Sequence, residues 1–216
     1  MKSYSTILFD LDGTLSDSSQ GIINSIIYAL EKYDVNDYDM PLLRKFLGPP
    51  LHESFEKFMG FDKEKSLQAV KLYREYFSSK GLFENEIYGG VSDLLQNLKE
   101  NGKTLIVATS KPQLFTDRIM EHFNLAKYFD FIAGSNMDTT RSKKAEVIEY
   151  AISECNIKDK SKVVMIGDRA EDMIGAQTVG VDSIGVEYGY GTFDELKNAG
   201  ATYIVKTVGE LKDLLS

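Results

Sequence analysis

Cysteine, histidine and long apolar runs are all scarce in this sequence. Cys155 is the only cysteine among 216 residues. No disulfide can therefore form within the chain, and a reducing cytoplasm is the expected compartment. The thiol is expected on the apolar face of a helix with Val147, Ile148, Ala151 and Ile152, buried and inert. The two histidines, His52 and His122, fall away from the strand ends considered below and are read as structural or surface groups. No segment reaches the ~18 apolar residues of a membrane span. The opening M-K-S-Y-S-T-I-L-F-D also has too short an apolar stretch for a signal peptide. Basic residues are outnumbered, 25 Lys and Arg against 33 Asp and Glu, for a net charge of −8. This argues against nucleic acid or an anionic membrane as the main partner. A small phosphorylated metabolite remains compatible, because a local site can be positive on an acidic protein. Repeats and low-complexity segments are also missing. The expectation is a soluble cytoplasmic protein, monomer or homodimer, of ordinary globular composition with 43% apolar and 27% charged residues.

The chain has a clear pattern of alternation. From about residue 90, short apolar runs alternate with amphipathic segments. Strands are predicted at Thr104 to Ala108, Phe131 to Ala133, Lys162 to Ile166, Asp182 to Val186 and Tyr203 to Val205. Helices are predicted at Lys144 to Glu154, Ala170 to Thr178 and Val208 to Leu214, with Phe115, Ile119 and Phe123 recurring every four residues. Pro112 is expected in a first helical turn. Continuous apolar strands between helices indicate a parallel sheet covered on both faces, and the class is α/β. The stretch from about Ser16 to Asn85 differs. It has helical patterns at Gly21 to Tyr33, Pro41 to Phe46, Leu51 to Met59 and Lys63 to Ser79, with no strand run. The expected organisation is an α/β core of residues 1–15 and 86–216 carrying a helical insert of residues 16–85.

The chemistry is concentrated at strand ends. Asp10-Leu11-Asp12-Gly13-Thr14 follows the run Tyr4 to Phe9. Two carboxylates two residues apart can hold a divalent cation and still leave one group for chemistry; the alternative is a simple turn. Thr109-Ser110-Lys111-Pro112 follows the second run, and Gly167-Asp168-Arg169-Ala170-Glu171-Asp172 follows Lys162 to Ile166. In an open α/β sheet, ligands bind outside the carboxyl ends of the strands, so the three sets converge. Each also has an ordinary structural explanation: Thr109 as a strand-end threonine, Asp168-Arg169 as a turn, Asp172 as a solvated helix residue.

Together these motifs resemble the haloacid dehalogenase-like phosphohydrolases. D-L-D-G-T matches the first family motif, Thr109 the second, a lysine opening the 144–155 helix the third, and G-D-R-A-E-D the fourth. The insert is similar to the small α-helical cap of the phosphoglycolate-phosphatase-like branch, and its segment from Arg44 through Leu51 also looks like the nucleotidase relatives. The resemblance implies Asp10 as nucleophile and Asp12 as general acid and base. It implies Mg2+ held by Asp10, the Asp12 carbonyl and Asp168, with Asp172 orienting them. Thr109, Ser110 and a lysine would bind the phosphoryl oxygens, helped by backbone N–H groups at Gly13 and Thr14. The third motif reads R-S-K-K-A-E-V-I rather than K-P-x-P, which leaves Lys143 and Lys144 as candidates. Lys144 is preferred on the K-A-E-V-I spacing. Arg44 and Gly48, in the R-K-F-L-G-P-P-L turn of the insert, are the expected substrate-reading residues. The implied activity is Mg2+-dependent hydrolysis of a small phosphomonoester, phosphoglycolate or a nucleoside monophosphate. A phosphosugar mutase similar to β-phosphoglucomutase and a non-catalytic binding protein on the same scaffold are the alternatives.

Overall fold

The computed structural model describes residues 2–138 and 140–216. In chain order the first elements are β1 (Thr6–Phe9), β2 (Ser16–Asp17), α1 (Ser19–Glu31), α2 (Met40–Arg44), α3 (Leu51–Met59) and α4 (Lys63–Tyr76). There follow β3 (Glu86–Ile87), α5 (Val91–Glu100), β4 (Thr104–Pro112), α6 (Gln113–His122), β5 (Phe131–Ser135) and α7 (Lys144–Glu154). The last elements are β6 (Val163–Gly167), α8 (Ala170–Val179), β7 (Asp182–Val186), α9 (Phe193–Asn198), β8 (Tyr203–Val205) and α10 (Val208–Leu215). The chain divides into two units, Met1–Asp17 with Ile87–Ser216, and Ser18–Glu86.

In the α/β unit, six parallel strands form one sheet in the order β5-β4-β1-β6-β7-β8. Leu8 of β1 lies opposite Ile106 of β4 on one side and Met165 of β6 on the other. Every residue of β1 and β6 is buried, as strands covered on both faces must be. On one face Leu8, Ile106 and Met165 meet Val147, Ile148 and Ala151 of α7 and Ala176 and Val179 of α8. The chain builds outward from β1 through β4 and β5, then returns beside β1 to build the other half through β6, β7 and β8. Such a reversal opens a crevice at the carboxyl ends of the central strands. The ends of β1, β4 and β6 are therefore neighbours, although 154 residues separate Thr14 from Asp168.

Several elements differ from expectation. β4 does not stop at Ala108 but runs to Pro112, with its register against β5 shifting between Ala108 and Pro112. That irregularity is a bulge, which re-aims side chains at a strand end. Pro112 consequently precedes α6 instead of sitting in its first turn. Two helices went unread. In α5, Val91, Leu94, Leu95 and Leu98 are buried, an i, i+3, i+4, i+7 stripe. In α9, the Thr192 hydroxyl accepts the Glu195 N–H, at 3.2 Å, an N-terminal cap. Cys155 lies just past the end of α7, half-buried against the core rather than enclosed on a helix face. Burial, with Asp130 and Glu154 nearby, raises its thiol pKa.

The helical unit is built from α1 to α4. α4 ends at Tyr76 and continues as a π-helical turn, Phe77–Gly81, instead of an α-helix to Ser79. A Cβ at Gly21 would overlap the Gly81 carbonyl, so the backbones of α1 and this turn touch directly. Phe46 and Phe55 meet edge-on at 5.2 Å, and Phe55 stacks on Phe61 at 5.9 Å, forming an aromatic core. Among the described residues of the whole chain, no helix is long and apolar enough to cross a membrane.

Candidate active site

The end of β1 sets the first carboxylate. The Asp10 N–H donates to the Ile166 carbonyl at 2.9 Å, extending the ladder one residue past Phe9. Its Oδ1 accepts the Leu11 N–H at 2.8 Å and lies 2.9 Å from Lys144 Nζ. One carboxylate oxygen is thus committed, leaving Oδ2. The chain then turns tightly: the Leu11 carbonyl accepts the N–H groups of Thr14, Leu15 and Ser16, while the Gly13 N–H donates to Ser16. Gly13 has φ 80°, a left-handed conformation that favours glycine. A side chain there would also overlap the Asp168 carboxylate.

The N–H groups of Gly13 and Thr14 donate inside the turn, at 2.8 and 3.2 Å. The Thr14 hydroxyl faces Asp168 instead, donating to its Oδ1 at 3.1 Å.

β6 and α8 supply the second acidic pair. Asp168 is fully buried, and its Oδ2 accepts the Tyr190 N–H at 2.8 Å. Burial pushes this carboxyl well above the ordinary carboxylate range, and Asp172 and Asp10 push the same way. Asp172 lies on the first turn of α8, its Oδ1 2.7 Å from Lys144 Nζ and its Oδ2 accepting the Arg169 N–H at 3.1 Å. Burial raises its pKa as well, against the pull of the Lys144 ammonium. Lys144 is itself buried and donates to the Ala108 carbonyl at 3.1 Å. Burial alone would lower its pKa, but Asp10 and Asp172 outweigh that and hold it charged. Lys143, by contrast, is exposed just before α7. Of the two lysines, Lys144 is the one among the carboxylates.

The bulge of β4 contributes Thr109, 2% exposed, whose hydroxyl accepts the Lys111 N–H at 3.2 Å. Ser110 is exposed, and its carbonyl accepts the Ser135 hydroxyl at 2.8 Å. Lys111 Nζ lies 2.6 Å from Asp12 Oδ2, a pairing that the motif comparison did not anticipate. The 187–191 segment, in the run G-V-E-Y-G-Y-G-T that also resembles the family branch but was assigned no site residue, reaches the site as well. A Cβ at Gly189 or Gly191 would overlap Asp168, so this loop packs its bare backbone onto the acid. The Tyr188 hydroxyl donates to the Thr14 carbonyl at 3.1 Å, and Tyr88 meets the Tyr188 ring edge-on at 5.0 Å. The alternating glycines at 189 and 191 were the available signal. Arg44 and Gly48 belong to the helical unit, Arg44 exposed on α2 and Gly48 at φ 106° in the turn before α3.

One oxygen from each of Asp10, Asp168 and Asp172 lies within 4.8 Å of the others. Lys144, the ammonium paired with Asp10 and Asp172, offsets only part of the charge that three carboxylates can carry. Hard carboxylate oxygens in a dry site with surplus negative charge fit a divalent cation such as Mg2+. A doubly wound sheet with this constellation at its switch point defines an α/β protein with a buried, acidic ligand site at the carboxyl ends of its strands.

The family model described as haloacid dehalogenase-like hydrolase matches residues 7–186, and the chain belongs to that family. It is 41% identical to a 5'-nucleotidase of Pseudomonas aeruginosa, over 98% of this chain and 96% of that protein. It is 35% identical to the tyrosine-protein kinase PtkA of Mycobacterium tuberculosis, over 97% of this chain and 72% of that one. Among solved structures, a haloacid dehalogenase-like family hydrolase from Streptococcus pneumoniae superposes with a TM-score of 0.92 at 31% identity, all of both chains covered.

Proposed function

We propose that this protein is a Mg2+-dependent phosphatase that hydrolyses small phosphomonoesters through an aspartyl-phosphate. The observation that carries this reading is the asymmetric holding of Asp10: Oδ1 is bound by Leu11 N–H and Lys144, and Oδ2 is left as nucleophile. In the first step Asp10 Oδ2 bonds to phosphorus, the ester P–O bond breaks, and Asp12 gives its proton to the departing alkoxide. In the second step Asp12 takes a proton from water, whose oxygen bonds to phosphorus as the Asp10–phosphorus bond breaks. Phosphate is released and both aspartates are restored. Asp10, Asp168 and the Asp12 carbonyl would hold Mg2+, with Asp172 orienting them through Lys144. When bound, the ion offsets charge on the phosphoryl oxygens. Lys144 and Thr109 add to that effect from the protein side.

The helical unit, with Arg44 and the Gly48 turn, is assigned the choice of leaving group. The relative named 5'-nucleotidase supports a nucleoside monophosphate, and a relative named phosphoglycolate phosphatase, 24% identical, supports phosphoglycolate. A cytoplasmic location accords with a single, half-buried cysteine. The decisive experiment measures phosphate release from p-nitrophenyl phosphate with Mg2+, then ranks phosphoglycolate, nucleoside monophosphates and sugar phosphates by kcat/KM. Activity should require Mg2+ and vanish in Asp10→Asn. A fully active Asp10→Asn would refute the mechanism.

A further inference from the structure

Two lysines are buried at this sheet edge, and each is paired with a different aspartate of the D-L-D turn. Lys144 holds Asp10 at 2.9 Å. Lys111 holds Asp12, its Nζ 2.6 Å from Oδ2, with its own side chain only 6% exposed. A buried ammonium is costly unless paired, and Asp12 supplies a carboxylate partner. Its backbone is equally constrained. The N–H donates to Thr109 Oγ1 at 3.2 Å, and the carbonyl accepts the Thr116 hydroxyl at 3.4 Å. A Cβ at Gly134 would come within 2.8 Å of that carbonyl. The β4 bulge thus delivers the lysine to one place.

The pair is conspicuous for what it leaves undone. Asp12 Oδ1 is buried and has no hydrogen-bond partner among the described residues. Buried polar atoms are ordinarily satisfied, and an exception in a native site calls for a reason. A structural ion pair would gain by giving both oxygens donors. Here one oxygen is held, and the other is buried without a donor.

Resting on the phosphatase reading above, we propose that Lys111 is a positioning residue for Asp12. By binding Oδ2 it sets the rotation of the carboxyl group, so that Oδ1 carries the proton to the leaving-group oxygen. Lys111 does not itself transfer a proton or bond to phosphorus.

Leaving groups separate this role from a structural one. p-Nitrophenolate departs without protonation, whereas the alkoxide of an alkyl ester such as a nucleoside 5'-monophosphate needs the proton. The quantity to compare is kcat/KM, which reports the steps through formation of the aspartyl-phosphate. In Lys111→Met, kcat/KM should fall about 100-fold for the alkyl ester that the wild type turns over best, the low end of general-acid effects. It should fall no more than about threefold for p-nitrophenyl phosphate, consistent with preserved binding and nucleophile. Asp12→Asn should lower kcat for both esters, because the second step also needs its carboxylate, and adding Lys111→Met to it should bring no further selectivity between them. Lys111→Gln, which keeps a donor for Oδ2, should retain an intermediate ratio and is the variant to read if Lys111→Met does not fold. Equal losses on both esters, or none, would overturn the positioning role. An inert wild type would instead count against the phosphatase reading, and so would an active Asp10→Asn.

Discussion

Lys144→Met isolates the electrostatics that hold this site together. The ammonium lies 2.7 Å from Asp172 Oδ1 and 2.9 Å from Asp10 Oδ1, with the lysine side chain 4% exposed. At an effective dielectric constant of about 20, each contact has a gross attraction of about 6 kcal/mol. Desolvation of the three groups cancels much of this. Removing the lysine alone does not recover that cost, because Asp10, Asp168 and Asp172 stay buried together without a cation. The expected loss is therefore about 3–5 kcal/mol, the range for breaking a buried pair from one side. Urea unfolding at neutral pH with EDTA present measures it directly. The same experiment on Asp172→Asn and on the double variant closes a thermodynamic cycle. The double variant should be less destabilised than the sum of the singles by at least about 2 kcal/mol, within the range found for contacting residues. Additivity within about 0.5 kcal/mol would refute the argument, since only independent sites behave that way.

Two other outcomes follow from particular contacts. Gly189→Ala forces a methyl against the Gly13 carbonyl and the Asp168 side chain. It should cost about 1–3 kcal/mol as overpacking, with a raised Mg2+ requirement for phosphate release, read by thermal unfolding and a metal titration. Asp182 gives a pH signature remote from the site. Burial works to raise its carboxyl, but hydrogen bonds from Lys2 and Tyr4, both 2.6 Å, outweigh it and hold the group below the ordinary range. A depressed carboxyl stabilises the fold above its unfolded pKa and loses that contribution as pH falls through the folded value. Asp182→Asn should therefore cost up to about 1 kcal/mol at pH 7, as befits a partly exposed pair. The difference from wild type should shrink as pH falls below the ordinary aspartate pKa and through the lower folded one, in urea melts across pH.

Much of the fold was legible because burial leaves a periodic trace along the chain. β7 and β8 lie where continuous apolar runs put them, and α7 spans Lys144–Glu154 as its spacing predicts. α5 has the same kind of trace in its Val91, Leu94, Leu95 and Leu98 stripe, though the expected elements above do not include it. The β4 bulge left no trace, because it depends on how β5 lies alongside.

The site divides in the same way. The sequence by itself determined the D-L-D-G-T turn, the acidic start of α8 and the α/β frame that could gather them. Only the tertiary structure decided which of two adjacent lysines meets Asp10. It also decided that Lys111 meets Asp12 across 99 residues, and that the Gly13 and Thr14 N–H groups are used within the turn. The physical reason is that strand order and register, set by packing of the whole sheet, choose the partners of residues far apart in sequence. Local periodicity records only which side of a residue is buried.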